Sequence, residues 1–272
     1  MVDNECVKFL QWALPQLNMR WAGFRKIRSR VCKRIQRRFK SLQMDNVADY
    51  RRYLENHPEE WQILDKLCRV NISRFYRNRM TFVFLEQEVL SACAIKALSR
   101  NEDRLDIWSA GCASGEEPYT LSLLWHLRLK ADFPRLNMHI LATDVDPELL
   151  ERAERACYTF SSIRNLPPAW TKEAFRKTDD VYCLDPAYRQ TVEFLCQDIR
   201  TGIPDGPFDI ISCCNLVFTY FNKELQERIL RQFLNILKPG GALVISTHEG
   251  LPEGTRGIEP WSQRFGIYRK VG

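Results

Sequence analysis

The stretch Leu105-Asp-Ile-Trp-Ser-Ala-Gly-Cys-Ala-Ser-Gly-Glu-Glu-Pro-Tyr-Thr120 says more about the fold than any other part of the chain. Leu105, Ile107 and Trp108 form a short apolar run that breaks into small residues. Two acids and a proline follow, and then Leu121, Leu123, Leu124 and Leu127 continue an apolar helical pattern. That order predicts a strand, a tight glycine turn and a helix start. Gly111 and Gly115 keep the turn free of bulky side chains, so a ligand could approach its backbone. Ordinary strand–helix turns are also rich in small residues, and the downstream segment decides between the two. Met138-His-Ile-Leu-Ala-Thr-Asp144 reads as the next strand and ends in an acid. Doubly wound folds use an acid there to accept hydrogen bonds from a ribose. A dinucleotide turn needs G-x-G-x-x-G, whereas Glu116 and Glu117 stand here where a diphosphate would be repelled. The turn therefore suits a nucleoside without phosphates, including one that carries positive charge. S-adenosylmethionine has both properties.

At 272 residues, 45% hydrophobic and 27% charged, the chain has the composition of a soluble globular protein with one large and one smaller domain. No apolar run approaches a membrane span, and Met1-Val-Asp-Asn-Glu-Cys6 lacks the layout of a signal peptide. A cytoplasmic location without membrane insertion is expected. None of the ten cysteines sits in a Cys-x-x-Cys pair, and His57, His126, His139 and His248 show no paired-ligand spacing. No metal site is expected, and the cysteines are expected to be reduced thiols acting as small hydrophobes. The net charge of +6 is concentrated, with nine basic residues and no acid between Arg25 and Lys40. Phe24, Ile27, Val31, Ile35, Phe39 and Leu42 recur there at helical spacing, which predicts an amphipathic helix with a strongly basic face.

Residues 1–75 read as an all-helical N-terminal domain, with helices near 4–16, 21–43, 46–56 and 58–69. Residues 76–104 read as a linker helix near 79–99 that leads into the first strand. Residues 105–272 alternate strands near 105–110, 138–144, 191–197, 208–214 and 241–247 with helices near 117–130, 147–157 and 222–237. Such alternation is the pattern of an α/β fold with a mostly parallel sheet. A strand near 265–270 closes the edge, and the stretch holding Pro167, Pro168 and Pro186 is irregular.

Trp108-Ser-Ala-Gly-Cys-Ala-Ser-Gly-Glu-Glu-Pro-Tyr119 resembles the nucleotide-site motif of the CheR family, the chemotaxis-receptor glutamate methyltransferases. Four more blocks match in the same order: Asn71-Ile-Ser-Arg-Phe-Tyr-Arg77, Ala142-Thr-Asp-Val-Asp146, Phe208-Asp-Ile-Ile-Ser-Cys-Cys-Asn-Leu-Val-Phe-Thr-Tyr-Phe221 and Leu237-Lys-Pro-Gly-Gly241. The likeness runs from about residue 10 to the C-terminus. It implies a Rossmann-like methyltransferase sheet whose last strand is antiparallel, and a small β-rich insertion at about 160–190. It also implies S-adenosylmethionine as cofactor, S-adenosylhomocysteine as product, a chemoreceptor's cytoplasmic glutamates as acceptors, and a monomer. Methyl transfer from a sulfonium to a carboxylate is an in-line displacement on a group already ionised at neutral pH. It needs alignment and exclusion of water rather than a general base.

The resemblance places Arg77 beside the cofactor, where the substrate carboxylate enters, and gives Tyr220 the steering of the acceptor; these two are the expected catalytic residues. A lone arginine would otherwise read as an ion pair, and a lone tyrosine as core. Asn71 and Ser73 carry over as cofactor contacts, the serine replacing the more usual threonine. Glu117 matches the acid that binds the cofactor's amino group, although an acid also suits a helix N-terminus. Gly111 supplies the close backbone approach, Asp144 the ribose contact or a helix cap, and Asp198 with Ile199 the frame of the adenine, where relatives carry Asn-Leu. Asn215 and Tyr220 are expected at the end of the fourth strand. Two departures stand out: Cys213-Cys214-Asn215 in place of Cys-Arg-Asn, and Ser246-Thr-His-Glu249 in place of Gly-His-Ser-Glu.

Arg30, Arg34, Arg37 and Arg38 on the basic helix are expected to dock an acidic protein, which the resemblance makes a receptor coiled coil. Nucleic acid is not expected, because the helix lacks interleaved exposed aromatics and Asn215-Leu-Val-Phe218 is not a Pro-Pro-aromatic motif. Some relatives hold a tethered receptor peptide on a glycine-containing hairpin. Residues 161–200 contain no glycine, so no such tether is expected here. The alternatives keep the fold but change the acceptor to a small-molecule carboxylate, a non-receptor protein or RNA, or remove catalysis to leave a cofactor-binding adaptor.

Overall fold

The computed structural model describes residues 3–272, which form two compact units. One runs through Asn71 and takes in Leu216–Gln226; the other comprises Ile72–Asn215 and Glu227–Gly272.

The first unit contains α1 (Asp3–Gln16), α2 (Trp21–Phe24), α3 (Arg28–Ser41), α4 (Val47–Asn56) and α5 (Glu60–Cys68). The helix expected over 21–43 is broken at residues 25–27. The apolar stripe of α3 is buried at Val31, Ile35 and Phe39, as its spacing requires. Glu60 is buried beneath it and accepts hydrogen bonds from Arg38 at 2.9 and 2.7 Å and from the Tyr50 hydroxyl at 2.8 Å. Burial pushes the Glu60 carboxyl up, but the Arg38 and Tyr50 donors outweigh it and hold it below the usual carboxylate value. Arg34 donates to the carbonyls of Leu67 and Arg69 at 3.4 and 2.5 Å, satisfying the C-terminal end of α5. The four-arginine docking face is corrected accordingly. Arg34 and Arg38 serve the unit's own packing, whereas Arg30 and Arg37 are exposed together with Arg25, Lys26, Lys33 and Lys40.

The all-thiol expectation is corrected at two pairs. Cys6 on α1 is joined to Cys32 on α3 with Cα atoms 6.0 Å apart, and Cys157 is joined to Cys183 at 4.0 Å. Six cysteines are not disulfide-bonded among the described residues. Tertiary packing of two helices makes the first pair, and direct cross-strand register makes the second.

In the second unit, β1 (Arg104–Ala110), β2 (Asn137–Asp144), β6 (Val192–Cys196), β7 (Phe208–Ser212) and β8 (Leu237–Val244) run parallel. Strand β10 (Ile267–Lys270) pairs antiparallel with β8, and β9 (Ile258–Ser262) with β10. The seven-stranded order is β6-β2-β1-β7-β8-β10-β9. The chain winds outward from β1 through β2 to β6, then returns to lay β7 on the other side of β1. That reversal opens a crevice at the C-terminal ends of β1 and β7. Strand β9 was not expected from the sequence, because it lies at the sheet edge and contains Pro260, which weakens a strand signal. The β-rich insertion is a separate sheet of β3 (Cys157–Thr159), β5 (Val181–Leu184) and β4 (Phe175–Thr178), in that order. The linker stretch folds within this unit as α6 (Arg79–Phe84), a π-helical segment (Leu85–Leu90) and α7 (Ser91–Ser99), which buries Cys93, Ala94 and Ala97.

At the opposite end of the strands, Asp209 is 2% exposed and bonds Lys238 Nζ at 2.9 Å, Arg100 Nη2 at 2.5 Å and the Asp106 amide at 2.9 Å. Glu102 extends this network to Arg100 and Lys238. Asp209→Ala would leave Arg100 and Lys238 with Glu102 as their remaining acid and the Asp106 amide without its acceptor, so it is expected to cost about 1–3 kcal/mol in urea unfolding. The Arg100 hydrogen bond, opposed by burial and aided by Lys238, holds the Glu102 carboxyl at about 2. Its folded value lies below the unfolded one, about 4.3. Its contribution is therefore present above the unfolded value and is lost as pH falls through that window. Glu102→Gln should show a smaller loss of stability between pH 7 and pH 3 than the parent, measured by denaturant titration.

Candidate functional site

Ser109 on β1 and Ser212 on β7 are register partners on the two strands that bound the crevice. Both hydroxyls donate to Oε1 of Glu117, at 3.0 and 2.8 Å. Glu117 lies in the first turn of α8 (Glu116–Leu124), so the helix start delivers it to the strand ends. Burial pushes its carboxyl above the usual value, opposed by the bonds from Ser212, Ser109 and Cys214 and by the charge of Arg77.

The turn before α8 has to bend sharply. Gly115 takes φ +86°, and a Cβ there would lie 2.9 Å from the Ala153 Cβ and 3.1 Å from the Tyr158 hydroxyl. Gly111 is also at positive φ, 76°, and donates its N–H to the Thr143 carbonyl at 2.8 Å. The turn is pinned from two sides. Asp144 accepts from the Ala113 amide at 2.8 Å, and the Tyr158 hydroxyl from the insertion donates to the Ser114 carbonyl at 2.7 Å. Burial raises the Asp144 carboxyl, against the amides of Asp146 and Ala113. The cap of the next helix is supplied by Asp146, which accepts from the Glu148 amide.

Arg77 donates to the Ile72 carbonyl at 2.7 Å, between Tyr76 and Asn78, both left-handed at φ 53° and 61°. The Tyr76 amide donates to Thr120 Oγ1 at 3.1 Å, which ties this bend to the helix that carries Glu117. On the far side, the Gln197 amide donates to the Asp144 carbonyl at 2.9 Å, bringing the Asp198–Ile199 turn alongside. Arg200 grips the Asp198 carboxylate at 2.7–3.1 Å, so that acid is already neutralised by its own loop. Asn215 sits past β7 at φ 58°, and its amide is held by Glu249 Oε2 at 3.0 Å. Glu249 also takes the Ser246 amide at 2.7 Å, so the departing Ser246–Glu249 segment fastens the loop after β8 to the loop after β7.

The second unit thus gathers Gly111, Glu117, Asp144, Asp198, Ile199 and Asn215 along one strand edge, and ties the Ser73–Arg77 segment to α8. Asn71 and Tyr220 belong to the first unit. The placement of Tyr220 is corrected: β7 stops at Ser212, and Tyr220 ends a short helix, Val217–Tyr220, with its ring edge-on to Phe24 at 5.2 Å. Sequence reading missed Ser109, Ser212 and Glu249. The signal for the serines was a hydroxyl in the buried C-terminal part of each strand, directly after the apolar pairs Ile107-Trp108 and Ile210-Ile211. It also missed Gln197, whose Oε1 is buried without a partner among the described residues. A fixed carboxylate beside a turn open at its glycines suits a ligand that brings positive charge and approaches backbone closely. Among the described residues, no group of three or more His, Cys, Asp or Glu could hold a metal, and no helix is long and apolar enough to cross a membrane.

A family model described as "CheR methyltransferase, SAM binding domain" matches residues 71–266. The chain belongs to the CheR methyltransferase family. It therefore carries that family's S-adenosylmethionine-binding domain. The chemotaxis protein methyltransferase of Listeria innocua is 33% identical over 183 residues, 67% of this chain and 66% of that protein. The chain thus spans just under two thirds of that relative's length. Those of Klebsiella aerogenes and Escherichia coli K12 are each 30% identical, covering 84% and 79% of this chain and 78% and 74% of theirs. The solved N-methyltransferase NodS of Bradyrhizobium japonicum superposes with a TM-score of 0.40 at 15% identity, over 76% of this chain and 93% of that one.

Glu117→Gln is expected to weaken S-adenosylhomocysteine binding roughly tenfold or more, the size of a lost charge-assisted hydrogen bond. Ser109→Ala with Ser212→Ala should weaken it less, by leaving the carboxylate present but unfixed. Titration calorimetry checks both, and affinity should fall on acidification at a pH above that of an ordinary exposed glutamate.

Proposed function

We propose that this CheR-family chain is an S-adenosylmethionine-dependent O-methyltransferase that esterifies glutamate side chains of an acidic protein. A chemoreceptor cytoplasmic domain is the acceptor that the family membership favours. The observation that carries the reading is the Glu117 carboxylate, fixed by two cross-strand hydroxyls and within reach of the Arg77 charge.

S-adenosylmethionine, when bound, supplies a methyl group on a sulfonium. Glu117 holds its ammonium, Gly111 admits its backbone approach, Asp144 takes the ribose, and Asp198 with Ile199 frames the adenine. Asn71, Ser73 and Asn215 complete the contacts. Arg77 orients carboxylates: the cofactor's own and the incoming glutamate's. Cys214 brings no charge to this end, which leaves that task to Arg77. Tyr220 steers the acceptor through its hydroxyl. No group has to remove a proton, since a glutamate acceptor is ionised at neutral pH. The exposed cations of α3, Arg30 and Arg37 among them, provide a surface that an acidic coiled coil would meet with a salt-sensitive on-rate. A monomer acting in the cytoplasm suits this role.

Incubation with methyl-labelled cofactor and candidate acceptors tests the reading. The expected result is label on protein that is released by mild base, as an ester requires. Base-stable label, label on RNA, or bound cofactor without transfer would overturn it. Arg77→Ala should lower kcat/KM roughly tenfold to a hundredfold, the loss of a charged hydrogen bond, with Arg77→Lys recovering part of it.

A further inference from the structure

A cleft of about 620 Å³ opens beside the Arg77 bend, lined by Tyr76, Asn78, Arg79, Arg164, Asn165 and the Leu166-Pro167-Pro168 wall. It lies wholly within the second unit, between the start of α6 and the insertion. Arg79 and Arg164 are both exposed, and neither has an ion pair among the described residues. No carboxylate lines the cleft. Glu86, farther along the same helical stretch, is held by Arg128 at 2.8 Å and does not neutralise it. Elsewhere this chain pairs its arginines freely with acids, as at Arg38, Arg69, Arg100 and Arg200. Two guanidiniums flank a volume large enough for a few side chains. Two asparagine amides can donate beside them, and Leu166, the prolines and the Tyr76 ring offer apolar contact.

We propose that this cleft is an acidic subsite: it receives carboxylate side chains that neighbour the methylated glutamate in the protein substrate. Tyr76 and Asn78 are the residues on either side of Arg77, so a segment seated here enters the site next to the guanidinium that would orient the acceptor. The proposal rests on the protein-glutamate reading for its substrate. Selection then comes from two points, the Arg77 guanidinium at the acceptor and the Arg79–Arg164 pair at its acidic neighbours.

The test is binding, measured by fluorescence anisotropy on the full chain saturated with S-adenosylhomocysteine. The probes are a labelled peptide of alternating Ala-Ala and Glu-Glu pairs, its glutamine twin, and a single-stranded oligouridine. Arg79→Gln with Arg164→Gln should weaken the glutamate peptide about fivefold, the scale of two exposed ion pairs. The loss should persist when Arg30→Gln, Lys33→Gln, Arg37→Gln and Lys40→Gln remove the exposed cations of α3, and it should leave the glutamine peptide and the S-adenosylhomocysteine affinity unchanged. Should the double variant perturb cofactor affinity, Arg164→Gln alone, on the insertion side, is measured instead, with about a twofold loss expected. Unchanged glutamate-peptide affinity overturns the proposal, and so does a larger loss of oligouridine than of peptide. Failure of methyl transfer in the labelling assay would sink the parent reading while this binding result stands or falls separately.

Discussion

A carboxylate placed among buried strands is tolerable only when other groups compensate its charge, and the second unit is organised around that requirement at Glu117. Ser109 and Ser212 are opposite one another on β1 and β7. Their hydroxyls meet on a single oxygen because the sheet order brings those two strands together at its reversal. Helix α8 has to begin at that point for the acid to arrive, and the positive-φ turn at Gly111 and Gly115 makes the beginning abrupt enough. Sheet topology, turn chemistry and electrostatics thus converge on one atom.

The loops around that acid are held by the same device used repeatedly: a side-chain oxygen bridging two backbones. Asp144 fastens the glycine turn, Glu249 fastens the loops after β7 and β8, and Tyr158 reaches from the insertion to the Ser114 carbonyl. Such bridges preorganise a cleft without filling it, which is what a reaction limited by alignment needs. Each is a fixed acceptor or donor close to where a ligand would lie.

Basic residues divide between two tasks. In the helical unit, Arg38 and Arg34 satisfy a buried acid and a helix end, whereas Arg30, Lys33, Arg37 and Lys40 face solvent on the same helix. A run of cations in a sequence therefore overstates the charged surface, since long side chains turn inward where burial offers an acceptor. The same division separates Arg79 and Arg164, exposed and without an ion pair among the described residues, from the paired arginines of the sheet ends.

Strand and helix positions were legible because periodicity is local: β1 and β2 fall within a residue of their expected bounds, and α8 starts where the two acids predict. The motif also named Glu117, Asp144 and Gly111, whose positions follow from a strand–turn–helix junction alone. Partners distant in the chain could not be read this way. Ser109 with Ser212, Cys6 with Cys32, Cys157 with Cys183, Glu249 with Asn215, and the inclusion of Leu216–Gln226 in the helical unit are set by which elements pack together. The sequence by itself determined the fold class and the chemistry at the glycine turn. Only the tertiary structure decided what holds that turn and its acid in place, because long-range register depends on the packing of whole faces and leaves no local periodic trace.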